Sequence, residues 1–136
     1  MAENELLALL NSLLEAERAG AQVAKISLKE TTDPALQALL ADVHQDEVKW
    51  CGMLLDAVHR LGGETSRVVG AFRDKALALP NMTERLALLN RGQDWVVRKI
   101  AAALEMNPDA ETRAGLVAMQ EAHRANIART EMVLKV

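Results

Sequence analysis

Apolar residues recur at three- and four-residue steps along the first half of the chain, which puts them on one face of an α-helix. The first such stripe predicts a long amphipathic helix over residues 3–30, with an inner face made by Leu6, Leu10, Leu13, Leu14, Ala21, Ala24 and Leu28. A second stripe starts after Asp33, a good helix cap, and Pro34, which suits the first helical position. This second helix is expected to end at Gly62-Gly63.

The second half of the chain repeats this plan after a long connection. Residues 63–81 are mixed in character, and their apolar positions predict a short helix within a crossover. A third long helix is predicted from Thr83, and a fourth over residues 110–134, with a tight turn at Asn107-Pro108-Asp109 between them. A short loop, a long crossover and another short loop predict an all-α, antiparallel four-helix bundle that forms one domain over residues 1–136.

Composition supports a helical protein and removes several functional classes. Aromatic residues make up only 2% of the chain, whereas β-sheets favour aromatic and β-branched side chains. The net charge of −3 is spread over mixed signs, so we expect neither nucleic acid nor an anionic membrane surface as a partner. The single cysteine, Cys51, has no internal disulfide partner, and the first residues do not resemble a signal peptide. These features predict a cytoplasmic protein that does not span a membrane.

One polar residue interrupts the apolar stripe near the middle of each predicted long helix. With about 100° of rotation per residue, the inward direction passes through Glu17, Glu47, Gln93 and His123 on the four helices in turn. Reflection about the two short turns brings Glu17 level with Glu47 and Gln93 level with His123. We therefore expect these four side chains to form one polar layer on the bundle axis.

Two carboxylates in an apolar core cost several kcal/mol unless something compensates them. A divalent metal could bind Glu17, Glu47 and His123, with His44 or Gln120 completing the ligand set. The carboxylates could instead share a proton, or the layer could serve only to fix helix register through hydrogen bonds. Neutralisation by arginine is disfavoured, because the nearby candidates phase away from the axis; these are Arg18, Arg91 and Arg124.

This constellation resembles the ferritin-like superfamily, which places two metal ions on the axis of such a bundle. Glu17 matches the carboxylate of the first helix, and Glu47 matches the bridging carboxylate of the second. Gln120 and His123 match the last motif with glutamine in place of glutamate. Trp50 occupies the position of the histidine that should follow Glu47.

The third-helix carboxylate of the ferritin-like pattern falls at Gln93, with Asp94 one step off the axis. His44, one turn before Glu47, is a candidate substitute for the missing histidine. The resemblance thus implies one ion of iron, manganese or zinc rather than two. The chain also resembles one of the short bacterial ferritin-like families, and this resemblance implies metal handling or a role in oxidative stress, without a reaction that can be assigned.

Two other functional interpretations remain open at this point. The chain could be a non-catalytic helical scaffold whose outer faces bind a partner or a second copy, and Trp95, which phases outward, could mark such a homodimer contact or lie under the crossover. His59, near the end of the second helix, faintly resembles a histidine-phosphotransfer site, although Gly62 stands where that motif has lysine. Cys51 is expected to be a buried apolar residue rather than a ligand.

Overall fold

The computed structural model describes residues 2–135, and among these residues it contains five helices and no strand. The elements are α1 (Ala2–Glu30), α2 (Pro34–Arg60), α3 (Phe72–Leu77), α4 (Met82–Glu105) and α5 (Ala110–Leu134). The prediction of an all-α protein is confirmed, and the four long helices agree with their predicted bounds to within about two residues. The short helix predicted in the crossover is α3.

Short polar side chains begin three of the long helices. Asp33 accepts a hydrogen bond from the amide of Ala35 at 2.9 Å, and Pro34 is the first residue of α2, as predicted. Asn81 and Asp109 cap α4 and α5 in the same way. Each cap satisfies a backbone N–H that has no partner inside its helix.

The helices pack in a closed order. The backbone of α1 lies close to those of α2 and α4, and the backbone of α5 lies close to the same two helices, whereas α1–α5 and α2–α4 are the diagonal pairs. Leu6 of α1 shares an apolar cluster with Val58 of α2, and Val23 shares another with Leu39. Because early residues of α1 meet late residues of α2, these two helices run antiparallel.

The apolar core is divided into two clusters along the helix axes. One cluster contains Leu10, Leu54 and Ile100, and the other contains Leu40 and Leu86. Along each long helix the polar residue singled out in the sequence lies between the two clusters. The interruption of the apolar stripes is therefore a physical boundary within the core.

The crossover between α2 and α4 is held along α1 by hydrogen bonds. Asn11 donates from its side-chain amide to the carbonyl of Glu64 at 3.0 Å and accepts from the amide of Ser66 at 2.8 Å. Further along, the amide of Gly70 donates to the carbonyl of Glu15 at 3.1 Å. α3 then contacts both α1 and α4, so the crossover covers the groove between these two helices.

The inner face of α5 is more polar than its sequence pattern predicts. On this face the apolar Ile127 and Leu134 are only half-buried, whereas the polar Asn126 and Thr130 are buried. The Thr130 hydroxyl donates to the carbonyl of Asn126 at 2.8 Å, so its burial is compensated within the helix.

Arg85 is a buried cation that the sequence pattern does not single out. Its guanidinium donates to the carbonyl of Leu79 at 2.8 and 3.0 Å and to the hydroxyl of Ser27 at 3.1 Å, and it also pairs with Glu30. These bonds join the end of the crossover to α1 and α4.

None of the helices described is both long and apolar enough to cross a membrane.

Replacing Asp33 with alanine tests whether the predicted cap stabilises the native chain. We expect Asp33→Ala to lower the free energy of unfolding by about 1 kcal/mol, because the Ala35 amide loses its acceptor. Asp56→Ala is the matched control, since Asp56 is exposed on the same helix, and a change within about 0.5 kcal/mol is expected. Urea denaturation measures both values; equal losses in the two variants would contradict the capping role.

Candidate metal centre

α1, α2 and α5 bring three ionisable side chains together in the middle of the core. Glu17, Glu47 and His123 each offer one ligand atom, and these atoms lie within 4.8 Å of one another. All three residues are buried, with 1%, 3% and 1% of their surfaces exposed respectively. Residues far apart in the sequence thus converge as the helical phasing predicts.

His123 is held by its own helix in one orientation. Its Nδ1 lies 2.9 Å from the carbonyl oxygen of Met119, one turn earlier. A carbonyl can only accept, so Nδ1 carries the proton and Nε2 of the neutral ring has a free lone pair. That Nε2 faces Oε1 of Glu17 at 2.7 Å. A backbone hydrogen bond of this kind is the usual way in which a metal-binding histidine is oriented.

The Nε2–Oε1 contact needs a positive charge or a proton between its two atoms. A neutral imidazole nitrogen and an ionised carboxylate oxygen are both acceptors and repel each other at 2.7 Å. Burial alone would lower the pKa of His123, but the charge and hydrogen bond of Glu17, together with the Met119 carbonyl, raise it above its ordinary value. Without a metal, a proton shared between these two residues satisfies the contact.

Glu47 lies against a glycine on the facing helix. A Cβ on Gly20 would collide with the carboxylate of Glu47, so α1 leaves room for that group only because residue 20 has no side chain. Burial raises the pKa of Glu47 well above its ordinary value of 4.5, and the charges of Glu17 and Asp46 raise it further. In the absence of a cation, the environment therefore favours the protonated form of Glu47.

Several polar atoms around this cluster have no hydrogen-bond partner among the described residues when Glu17 is ionised and His123 is neutral. They include Oε1 of Glu17, Oε2 of Glu47, Nε2 of His123 and both polar atoms of the Gln93 amide. Buried polar groups in native proteins are nearly always hydrogen-bonded or bound to an ion or water. The first three atoms belong to the residues whose ligand atoms lie within 4.8 Å of each other, an arrangement that either a shared ion or shared protons would satisfy.

The remaining predicted site residues lie around the three-residue cluster. His44 is half-buried and is not part of the group within 4.8 Å. The Gln120 side chain is turned to α4, where it donates to the carbonyl of Val97 at 3.1 Å. Asp94 is exposed and pairs with Arg98 at 3.3 Å. Trp50 is buried in the apolar cluster beside the centre.

Three residues considered in other roles are also placed by the structure. Cys51 is half-buried, and burial with the charges of Glu17 and Glu47 raises the pKa of its thiol to about 12, so it stays protonated. His59 is exposed in the last turn of α2. Trp95 is half-buried and, with Phe72 of α3, lines a cavity beneath the crossover.

This cavity connects the buried cluster to the groove between α1 and α4. Its volume is about 610 Å³, and Glu17, Gly20, Glu47, Gln93 and His123 form part of its wall. A cluster enclosed entirely by apolar side chains would exclude ions and substrates. Here the three ionisable residues face a space large enough for a small molecule.

Gly20 is the site residue that sequence reasoning missed. The available signal is a glycine on the inward side of a long helical stripe, three residues after Glu17, where alanine would have the higher helix propensity. A glycine retained in such a place usually marks a close approach by another group. The approaching group is the Glu47 carboxylate.

Substituting alanine at two helical glycines separates helix propensity from the space needed by Glu47. Gly52→Ala should raise the free energy of unfolding by about 0.5–1 kcal/mol, because a Cβ there meets nothing within 4 Å. Gly20→Ala should gain less or lose stability, because its Cβ displaces the Glu47 carboxylate. Urea denaturation in chelator measures both. An equal gain in the two variants would show that Glu47 does not need the space.

The pH dependence of stability should reveal the raised pKa of Glu47. In metal-free protein the native state keeps the proton on Glu47 above pH 4.5, where the unfolded chain loses it. The free energy of unfolding should therefore fall as the pH rises from about 5 towards the native pKa. Glu47→Gln, which imitates the protonated acid, should flatten this decline, whereas Glu121→Gln on the exposed face of α5 should not. Parallel pH profiles for all three proteins would contradict the assignment.

The comparisons with known proteins show the family. The sequence model of one family, described as a domain of unknown function (DUF6306), matches residues 4–132. No curated protein and no solved structure gives a significant match. Since the matched residues cover nearly the whole chain, this protein belongs to the DUF6306 family.

Proposed function

We propose that the chain binds one divalent metal ion at Glu17, Glu47 and His123. The observation that carries this proposal is the set of three buried ligand atoms that lie within 4.8 Å of one another and whose mutual contacts only a cation or shared protons can satisfy. Two carboxylate oxygens and one imidazole nitrogen suit iron, manganese or zinc. The three donors fit such an ion, because the Met119 carbonyl fixes the proton of the neutral ring on Nδ1 and directs Nε2 of His123 at the cluster.

Charge favours one ion rather than two. The carboxylates of Glu17 and Glu47 together carry two negative charges, and a single dication balances them. A second dication would leave an excess of positive charge in an apolar core, where uncompensated charge is expensive. The positions that supply further carboxylates in a two-metal site hold Gln93 and Gln120 here.

The arrangement of helices supports a ferritin-like four-helix bundle as the framework of this site. The four long helices pack in a closed order with two diagonal pairs, and the crossover spans the α1–α4 groove. The ligands lie in mid-helix between two apolar clusters, as an axial site in such a bundle would.

The protein's own residues have separate tasks in this proposal. Glu17 and Glu47 supply the negative charge, and Met119 orients His123 through its carbonyl oxygen. Gly20 gives the Glu47 carboxylate its position, and the cavity provides the approach from outside. A bound ion would supply a Lewis-acidic or redox-active centre. We assign the protein to metal handling or the response to oxidative stress.

The rival function is a scaffold in which the polar layer only fixes the register of the helices. Both interpretations explain why Glu17 and Glu47 are buried, but only the first requires a stoichiometric ion. The exposed position of His59 permits phosphotransfer but does not favour it, because no further feature around that side chain points to a phosphoryl partner.

Elemental analysis of untagged protein purified without chelator tests the metal directly. We expect about one iron, manganese or zinc per chain, and loss of that metal in Glu17→Ala/Glu47→Ala. The matched control is Glu121→Ala/Glu131→Ala, which removes two exposed carboxylates from α5 and should retain the metal.

Thermal unfolding of the same proteins completes this test. A metal that binds only the native state at a hundred times its dissociation constant adds about 2.7 kcal/mol to the free energy of unfolding. This gain should occur in the parent and in the α5 control but not in the Glu17/Glu47 variant. A parent chain that neither carries nor is stabilised by any of the three metals would support the scaffold instead.

A further inference from the structure

The cavity beneath the crossover has the size and the walls of a small-molecule site. Its volume of about 610 Å³ lies in the range typical of such sites, and apolar side chains from α1, α3 and α4 form most of its surface. They include Ala16, Phe72, Leu88, Trp95 and Val96. An apolar body would be favoured here, because burying it removes both its own surface and that of the walls from water.

Positive charge predominates at the outer part of this cavity. Lys75 of α3 and Arg91 of α4 line it with exposed side chains, and neither forms an ion pair with a described residue. Arg98 also lines the cavity but is paired with Asp94. The outer carboxylate of the lining, Glu15, accepts a hydrogen bond from Ser66 at 2.6 Å. Two cations are thus available to an anionic ligand.

The inner part of the cavity carries a polar side chain without a partner. Gln93 is only 3% exposed, it lines the cavity, and neither its amide nitrogen nor its amide oxygen has a hydrogen-bond partner among the described residues. An amide in this state can both donate and accept. A ligand that brings a hydroxyl or carbonyl group to Gln93 would remove the penalty of leaving it unpaired.

We propose that this cavity binds an organic carboxylate with an apolar body and a polar group at the end remote from the carboxylate. The ligand carboxylate lies between Lys75 and Arg91, the apolar body contacts Phe72 and Trp95, and the remote polar group reaches Gln93. Three independent features of the cavity therefore specify three parts of the ligand.

Electrostatics determines the direction in which this ligand enters. A carboxylate at the inner end would lose its hydration in a region of low dielectric beside the carboxyl groups of Glu17 and Glu47, with no free cation there to compensate its charge. At the outer end it meets cations and remains partly hydrated. The carboxylate therefore faces outward, and the remote polar group lies nearest the metal-binding residues.

Ligand binding in this cavity does not require a metal at Glu17, Glu47 and His123. Its test is performed in chelator, on protein that binds no ion, so a failure of ligand binding and a failure of metal binding are separate results. The probes are octanoate, ω-hydroxyoctanoate and octanol. They share a chain length and differ only in their terminal groups.

Trp95 provides the signal for binding, since it lies in the cavity wall. In a Trp50→Phe background it is the remaining tryptophan, so ligand entry changes a single fluorophore. We expect saturable binding of ω-hydroxyoctanoate, about fivefold tighter than that of octanoate, which in turn should bind about fivefold tighter than octanol. Calorimetry on the parent chain checks the same order without the background substitution.

Substitution of the two free cations tests the site of the carboxylate. Lys75→Gln/Arg91→Gln should weaken octanoate binding about fivefold to tenfold and leave octanol binding unchanged. The control Lys25→Gln/Arg124→Gln removes the same charge from exposed positions outside the cavity and should change neither. If both double variants lose the same octanoate affinity, the effect comes from the net charge of the protein, and the assignment of the carboxylate to Lys75 and Arg91 is wrong.

Substitution of Gln93 tests the inner end of the ligand. Gln93→Leu keeps the approximate volume and removes both polar atoms, so the preference for ω-hydroxyoctanoate over octanoate should disappear while octanoate still binds. A variant that keeps the preference would place the hydroxyl elsewhere and overturn this part of the proposal. If no probe binds the folded parent chain, or if octanol binds as tightly as octanoate, the whole proposal is wrong.

Discussion

This structure depends on one constraint. Two carboxylates, those of Glu17 and Glu47, are buried between the helices and thereby removed from water. Glu17 and Glu47 are both buried, and the ring nitrogen that faces Glu17 has no proton of its own in the neutral tautomer fixed by Met119. An isolated buried carboxylate costs several kcal/mol, so a protein keeps such a pair only when a proton or a cation compensates it. The raised pKa values of Glu47 and His123 indicate that protons compensate the charges when no metal is bound.

Other features of the fold accommodate this polar centre. The apolar core is split into two clusters, and between them Gly20 leaves the space that the Glu47 carboxylate fills. The crossover, fixed along α1 through Asn11 and Gly70, covers the groove and leaves a cavity beneath it. The same backbone connection therefore encloses the centre and determines what can reach it.

The helices and the convergence of Glu17, Glu47 and His123 could be predicted because both follow from local rules. Helical spacing fixes which residues face inward, and the short turns fix which residues share a level. The cavity, the burial of Arg85 and the identity of the group that Gly20 faces could not be predicted, because each depends on where a distant segment packs. Arg85, for example, is buried because the carbonyl of Leu79 and the hydroxyl of Ser27 lie within its reach. Helical periodicity contains no information about such contacts.

The most direct test of the metal centre is a crystal structure of the chain grown with zinc or manganese, with data collected at the absorption edge of the metal. If the three residues bind a metal, we expect one anomalous peak per chain, about 2.0–2.2 Å from Nε2 of His123 and from carboxylate oxygens of Glu17 and Glu47. His44 and Gln120 should lie outside its coordination sphere. The contrary result is a crystal with no peak at this position and with Nε2 of His123 still hydrogen-bonded to Glu17. It would contradict metal binding and identify the cluster as a proton-sharing layer that fixes helix register.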